Sequence, residues 1–229
     1  MRSYGQFCAM AKALDVVGDR WSLLIVRELM LLGPSRYTDI QNGLPGIASN
    51  LLADRLRRLE EAGVVKRELA PPPIATTLFS LTQRGDDLRE VVRELGRWGA
   101  PLLGAASDDE EFRSYWMALP LELYYSDTKP DGPPVRIELR MGDQPPVVVE
   151  TFEGTVRAVR GSVENPEVAL IGPPRLVITT LSGRVPLDEA RRQGLQLEGD
   201  PKILARIRST LVPEHRSQLS DSRRSTRLR

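Results

Sequence analysis

The chain holds one cysteine and one histidine in 229 residues. A single thiol, Cys8, makes no internal disulfide and fits a reducing compartment. With His215 as the sole imidazole there is no Cys/His set for a zinc site, and no GxGxxG or phosphate-loop pattern occurs. Apolar runs stay well short of the roughly 18 residues that a membrane span requires. The opening residues, 1–8, lack an apolar segment with a cleavage site, so the cytoplasm is expected and no membrane partner. Asp108-Asp109-Glu110-Glu111 is a carboxylate cluster, but at a helix start it complements the helix dipole. Glu122 and Asp127 have no evident partner that would make them an acid and a base. These absences exclude the common enzyme classes, and no catalytic residue, metal or cofactor is expected.

What is present is a globular composition, with 41% hydrophobic and 28% charged residues. The net charge of +1 is unevenly spread. Residues 1–104 carry 14 Lys/Arg against 12 Asp/Glu, residues 105–212 carry 13 against 17, and residues 213–229 carry 5 against 2. An anionic partner would therefore be met by local patches rather than by the whole surface.

Periodicity divides the chain. A helix is predicted over residues 8–17, with Cys8, Ala11, Leu14 and Val17 at three-residue steps and a stop at Gly18. Asp19 can cap a second helix over 21–32, whose Trp21, Leu24, Ile25 and Leu29 share a face. A short helix over 37–41 is followed by the turn signals Asn42-Gly43 and Pro45-Gly46. Then comes a helix over 48–62, with Leu52, Leu56 and Leu59 inward and Gly63 as its left-handed stop. Two β-prone runs, 64–69 and 77–82, flank Pro71-Pro72-Pro73 and predict a hairpin. Together, residues 36–67 spell a winged helix-turn-helix, a unit shaped to place one helix in the DNA major groove. A long helix over 83–103 carries Leu88, Val91, Val92, Leu95 and Trp98 as an apolar stripe. So small a domain leaves that stripe nothing to pack on, and a second copy of the chain is its natural partner. The predicted dimer residues are Leu88, Val92, Leu95 and Trp98.

Residues 104–107 read as a linker, and Asp108 with Glu111 as a capping box opening a helix that carries Phe112, Tyr115 and Trp116. From residue 135 the period becomes two: Val135, Ile137, Leu139 and Met141 alternate with Arg136, Glu138 and Arg140, a half-buried strand. Runs at 147–152, 155–160 and 168–171, separated by turn signals, extend this into an antiparallel meander. Helices over 188–193 and 201–211 flank a short strand at 195–198. Residues 175–181 favour a strand locally, while Pro173-Pro174 before them and Gly183 after them suit a helix. The Ser/Arg-rich residues 213–229 have no period and read as disordered. The class is α+β. It comprises a mainly α winged domain with a β-hairpin wing over 1–104, an α+β domain with an antiparallel sheet over 105–212, and a basic tail.

Residues 8–103 resemble the HxlR family of bacterial winged-helix transcriptional regulators. The likeness lies in Cys8, the run from Leu14 to Trp21, Arg27-Glu28-Leu29, Gly33-Pro34-Ser35-Arg36-Tyr37, Leu44-Pro45-Gly46-Ile47, the run from Leu56 to Gly63, and Leu81-Thr82. The wing departs from the family pattern: its tip is Pro71-Pro72-Pro73-Ile74-Ala75, without a basic residue, and Phe79 stands where a Tyr is usual. Residues 135–211 are similar to the sterol carrier protein-like domain attached to some of these regulators, through Gly172-Pro173-Pro174, Leu181-Ser182-Gly183 and the run from Gly194 to Pro201. That second resemblance implies a helix over 175–181 and an apolar tunnel.

With its leucines inward, the 48–62 helix turns Ser49, Asn50, Ala53, Asp54 and Arg57 outward. Its N-terminal end points into the groove in this motif, where Asn reads adenine and Arg reads guanine. Arg36, Lys66 and Arg67 are placed for phosphates of a double-stranded operator. The plainer alternative is a solvated Arg/Glu face, with Arg58 pairing Glu61 or Asp54. The family resemblance also implies that Cys8 is a redox sensor, with Lys12 one turn on to favour the thiolate. A small buried apolar residue is the alternative. The second resemblance nominates Trp116, Leu139, Val149, Phe152, Ile178 and Leu181 as liners of a pocket for a hydrophobic small molecule, or else as ordinary core. The expected function is a homodimeric, sequence-specific transcriptional regulator, a repressor by default, whose DNA affinity such a molecule modulates. The alternatives are a regulator whose C-terminal domain serves only dimerisation or protein interaction, a redox sensor acting through Cys8, or a lipid carrier with a vestigial DNA domain.

Overall fold

A computed structural model describes residues 3–73, 75–105 and 110–210. Its contacts divide the chain into Met1–Trp116 and Met117–Arg229. The division falls beyond the boundary expected after Gly104. The tail over 213–229, with His215, lies outside the described residues, as does Asp108 of the expected capping box.

In the first unit, α1 is Ala9–Val17 and α2 is Ser22–Leu32. Trp21, not Asp19, opens α2: it takes a left-handed φ of 82°, while the Asp19 carboxylate goes to Arg55, 2.6 Å away. Leu24, expected inward, is exposed, and Glu28 is fully buried in its place beside Ile25, Val26 and Leu29. β1 (Ser35–Arg36) leads into α3 (Tyr37–Asn42), and α4 (Ser49–Glu61) follows. α4 buries Leu52, Leu56 and Leu59, as the spacing required, and Gly63 at φ 69° ends its turn. The wing is β2 (Val65–Leu69) and β3 (Thr77–Leu81), and β1 pairs with the other edge of β3, Ser35 opposite Phe79. Two residues are too few to show a period, so β1 was not legible beforehand.

The helix expected over 83–103 is interrupted. α5 (Gln83–Asp86) and α6 (Arg89–Gly99) are separated by a tight turn in which the Leu88 N–H bonds the Gly85 carbonyl at 3.1 Å. Ala100–Ala105 is 3-10, because Pro101 supplies no N–H and its ring crowds an α turn. Glu111 opens no helix. Its carboxylate bonds Arg113 at 3.0 Å, and a 3-10 turn, Ser114–Met117, comes next.

The second unit contains α7 (Ala118–Tyr124), β4 (Tyr125–Asp127), β5 (Arg136–Met141), β6 (Val147–Phe152), β7 (Thr155–Arg160), β8 (Val168–Gly172), α8 (Pro174–Leu181), α9 (Leu187–Arg192), β9 (Gln196–Gly199) and β10 (Ile207–Ser209). Its main sheet has the order β7-β6-β5-β8-β9. β5, β6 and β7 form the expected meander, but β8 lies parallel to β5, so the sheet is mixed rather than antiparallel. After β7 the chain passes to the free side of β5 and re-enters from the end where β5 begins. Ile137, Leu139, Met141, Val147, Val149, Val168 and Leu170 are wholly buried. Each contributes about 1.5–3 kcal/mol by leaving water.

Glu138 breaks the expected in-out alternation of β5. It is buried and held by Arg140, 2.5 Å away, which also reaches Glu198 at 3.0 Å. A carboxylate taken out of water must be paired in this way. The edge of β7 is blunted where the Ala158 N–H donates to Glu122 Oε1 at 3.2 Å. α8 is helical against its β-branched composition, with Leu176 and Val177 buried and Gly183 in a left-handed turn after it. The helix expected over 201–211 is a 3-10 turn, Pro201–Arg206, followed by β10, which pairs antiparallel with β4.

Candidate nucleic-acid interface

The N-terminal end of α4 is pinned from α3. The Tyr37 hydroxyl donates to the Ser49 carbonyl at 2.6 Å, and Gln41 Nε2 donates to Ser49 Oγ at 2.8 Å. Ser49 therefore also serves the fold. Asn50 and Ala53 are exposed beside it, and Asn50 Oδ1 accepts the Leu51 N–H at 2.9 Å.

Asp54 is the hub of this face. It meets Arg57 at 2.8 Å, Arg58 at 2.9 Å and Arg55 at 3.3 Å. The hydrogen bond from Arg57, first among these influences, holds the Asp54 carboxyl below the usual range. Arg57 extends outward and also binds Glu61 at 2.6 Å. Arg55 and Arg58 turn toward Asp19, and Arg58 chooses Asp54 over Glu61. Exposed ion pairs of this kind contribute little, so a base edge or phosphate can replace the carboxylates around Arg57.

Arg36 is exposed on β1 and makes no ion pair among the described residues; its backbone N–H caps onto Asp39 Oδ2 at 3.2 Å. On β2, Lys66 pairs Glu68 at 2.8 Å and Arg67 pairs Glu60 at 3.1 Å. Both side chains are exposed, and as neighbours on a strand they leave opposite faces of the wing.

The predicted dimer residues separate into two kinds. Val92 is buried within its own unit and Leu88 half-buried, whereas Leu95 is 49% and Trp98 75% exposed. Phe7 and Met10, which the sequence reading passed over, are also exposed at the start of α1. Cys8 is exposed between them in the single chain, and Lys12 lies 3.9 Å from Asp15. Of the proposed pocket residues, Leu139 and Val149 are wholly buried core, Phe152 is exposed, and Ile178 and Leu181 are half-buried. Trp116 belongs to the first unit, where its indole N–H donates to Glu28 Oε1 at 2.9 Å. Among the described residues no group of three or more His, Cys, Asp or Glu could hold a metal, and no helix is long and apolar enough to cross a membrane.

The HxlR-like helix-turn-helix family model matches residues 16–106. The chain is 38% identical over 87 residues to the uncharacterized HTH-type transcriptional regulator YvaP of Bacillus subtilis strain 168, covering 38% of this chain and 80% of that one. The chain belongs to the HxlR family. It is also 35% identical over 89 residues to the HTH-type transcriptional regulator YodB of the same organism, covering 39% of this chain and 79% of YodB. The solved reduced form of YodB is 30% identical and covers 44% of this chain and 100% of that one, with a TM-score of 0.38. This HxlR protein is accordingly a DNA-binding transcriptional regulator, with α+β architecture and a winged helix-turn-helix in its first unit. The matched segment holds α2 to α6 and the wing, and ends before Tyr115 and Trp116.

Proposed function

We propose that this HxlR regulator is a homodimer that reads an operator with two copies of α4, represses the adjoining promoter, and responds to a signal in its second unit. The apolar surface left on α6 carries the reading. Exposed side chains as large as Leu95 and Trp98, near Val91 at 49% exposed, call for a partner. Two-fold pairing sets the reading helices about 34–36 Å apart, one turn of duplex.

Within α4, Asn50 and Arg57 read bases and Arg36 holds phosphate. Asn50→Ala or Arg57→Ala is expected to cost about 1–3 kcal/mol on the preferred duplex and to relax sequence preference. Arg36→Ala should instead weaken all duplexes alike and lower the salt slope by about 1. Competition shift assays at several salt concentrations measure both effects. Unchanged discrimination by Asn50→Ala would remove its base-reading role.

The second unit is read as a sterol carrier-like module that takes a hydrophobic small molecule near Ile178 and Leu181 on α8. Support comes from α8 itself, a helix where local propensity favours a strand. A melting temperature unmoved by fatty acyl and sterol compounds would leave a ligand-free interaction module. The exposed thiol favours a second reading, in which oxidation of Cys8 releases DNA. Diamide should then dissociate the wild type from its duplex and spare Cys8→Ser; equal responses would end that reading.

A further inference from the structure

Glu28 is fully buried on α2, and a buried carboxylate persists only where donors surround it. Oε1 accepts from Arg27 Nε at 3.0 Å, Arg27 Nη2 at 2.5 Å and Trp116 Nε1 at 2.9 Å, and Oε2 accepts from the Tyr115 hydroxyl at 2.6 Å. The Arg27 guanidinium lies 4.5 Å from the centre of the Trp116 ring, and its Nη2 also reaches the Gly43 carbonyl at 3.3 Å. Arg113 Nε reaches the Asn42 carbonyl at 3.4 Å.

These contacts converge on the turn between α3 and α4. Gly43 has an ordinary right-handed φ of −79°, so its backbone does not require glycine; space does. A Cβ there would lie 2.7 Å from the Tyr115 hydroxyl and overlap the Glu28 carboxylate. The turn joins α3, which pins Ser49 through Tyr37 and Gln41, to α4 itself.

We infer that Arg113, Tyr115 and Trp116 form a clasp that positions the DNA-reading helix, with Tyr115 and Trp116 acting through Glu28 and the Asn42-Gly43 turn. The clasp lies outside the segment matched by the family, so the DNA-reading part of this chain extends to Trp116, the last residue of the first unit. It rests on α4 being the reading helix. Tyr115 and Trp116 touch no base in this scheme. They set the angle at which Asn50 and Arg57 meet one, so they act on discrimination rather than on general attraction to phosphate.

The test uses the full chain and a duplex that the wild type selects from a random library, with a scrambled duplex for comparison. Tyr115→Phe and Trp116→Phe should each weaken binding to the selected duplex roughly 5- to 20-fold. Binding to the scrambled duplex and the salt slope should stay within about two-fold of wild type. Hydrogen exchange supplies an arm independent of DNA. In Tyr115→Phe, amides over residues 43–52 should exchange faster, while those over 137–149 do not. An equal loss on both duplexes, no loss in folded protein, or unchanged exchange over 43–52 overturns the clasp. Should the wild type select no duplex, the operator reading fails, and the exchange arm still decides the clasp.

Discussion

Arg206→Ala is expected to destabilise the second unit by about 3–5 kcal/mol, measured by urea unfolding, because it strands a buried carboxylate. Arg206 forms a two-pronged bond with Asp127, Nε to Oδ1 and Nη2 to Oδ2, each at 2.8 Å, and both side chains are shielded from solvent. The same guanidinium donates to the Pro133 carbonyl at 3.0 Å and the Lys129 carbonyl at 3.3 Å, closing the loop between β4 and β5. Asp127→Asn keeps the shape and loses the charge, so it should cost less. The hydrogen bond from Arg206 is the leading reason that the Asp127 carboxyl titrates below its usual range. A carboxyl depressed by folding stabilises above its unfolded pKa, near 3.9. That contribution fades as pH falls through the lower folded value. The wild type should therefore lose this contribution only below about pH 4, and Asp127→Asn should show a shallower acid dependence. A change under about 1 kcal/mol in Arg206→Ala would show that the pair merely breaks even with solvation.

The second large effect concerns assembly. If the proposed dimer pairs through α6, Leu95→Asp with Trp98→Asp should yield a folded monomer, seen by sedimentation, and weaken operator binding by about 100-fold or more. Two linked reading helices gain about 10²–10⁴ in avidity over one. Val92→Asp is the contrast. Val92 is 7% exposed inside its own unit, so a charge there should unfold the protein rather than dissociate it. A double variant that remains dimeric would place the symmetric contact elsewhere on the surface and remove α6 from the proposal.

Much of the DNA-reading part was legible beforehand because its signals are local. The leucine spacing of α4, the Gly63 stop and the wing hairpin each lie within one short window, and the structure keeps them. The face Ser49, Asn50, Ala53 and Arg57 follows from the same spacing. What surrounds that face was not legible. Spacing left Arg58 open between Asp54 and Glu61, and Arg57 stands three residues from both Asp54 and Glu60, so the meeting of three arginines at Asp54 could not be read from it. Gly43 read as turn punctuation, yet the buried Glu28 carboxylate and the Tyr115 hydroxyl leave no room for a side chain there. The C-terminal resemblance nominates Trp116 as a liner of the pocket it implies, but a buried glutamate on α2 takes its indole N–H.

The amino-acid order alone determined α1, α4 with its Gly63 stop, the wing hairpin and the β5–β7 meander, because those depend on neighbours a few positions away. It did not give β1, the break between α5 and α6, or β10. Tertiary structure alone decided that β8 lies parallel to β5, that Glu28 and Glu138 are buried as charges, and that Arg206 ends a 3-10 turn to reach Asp127, 79 residues earlier. Each of those outcomes rests on desolvation and pairing between distant segments. Their sign depends on which partner is already in place, and no local window contains that information.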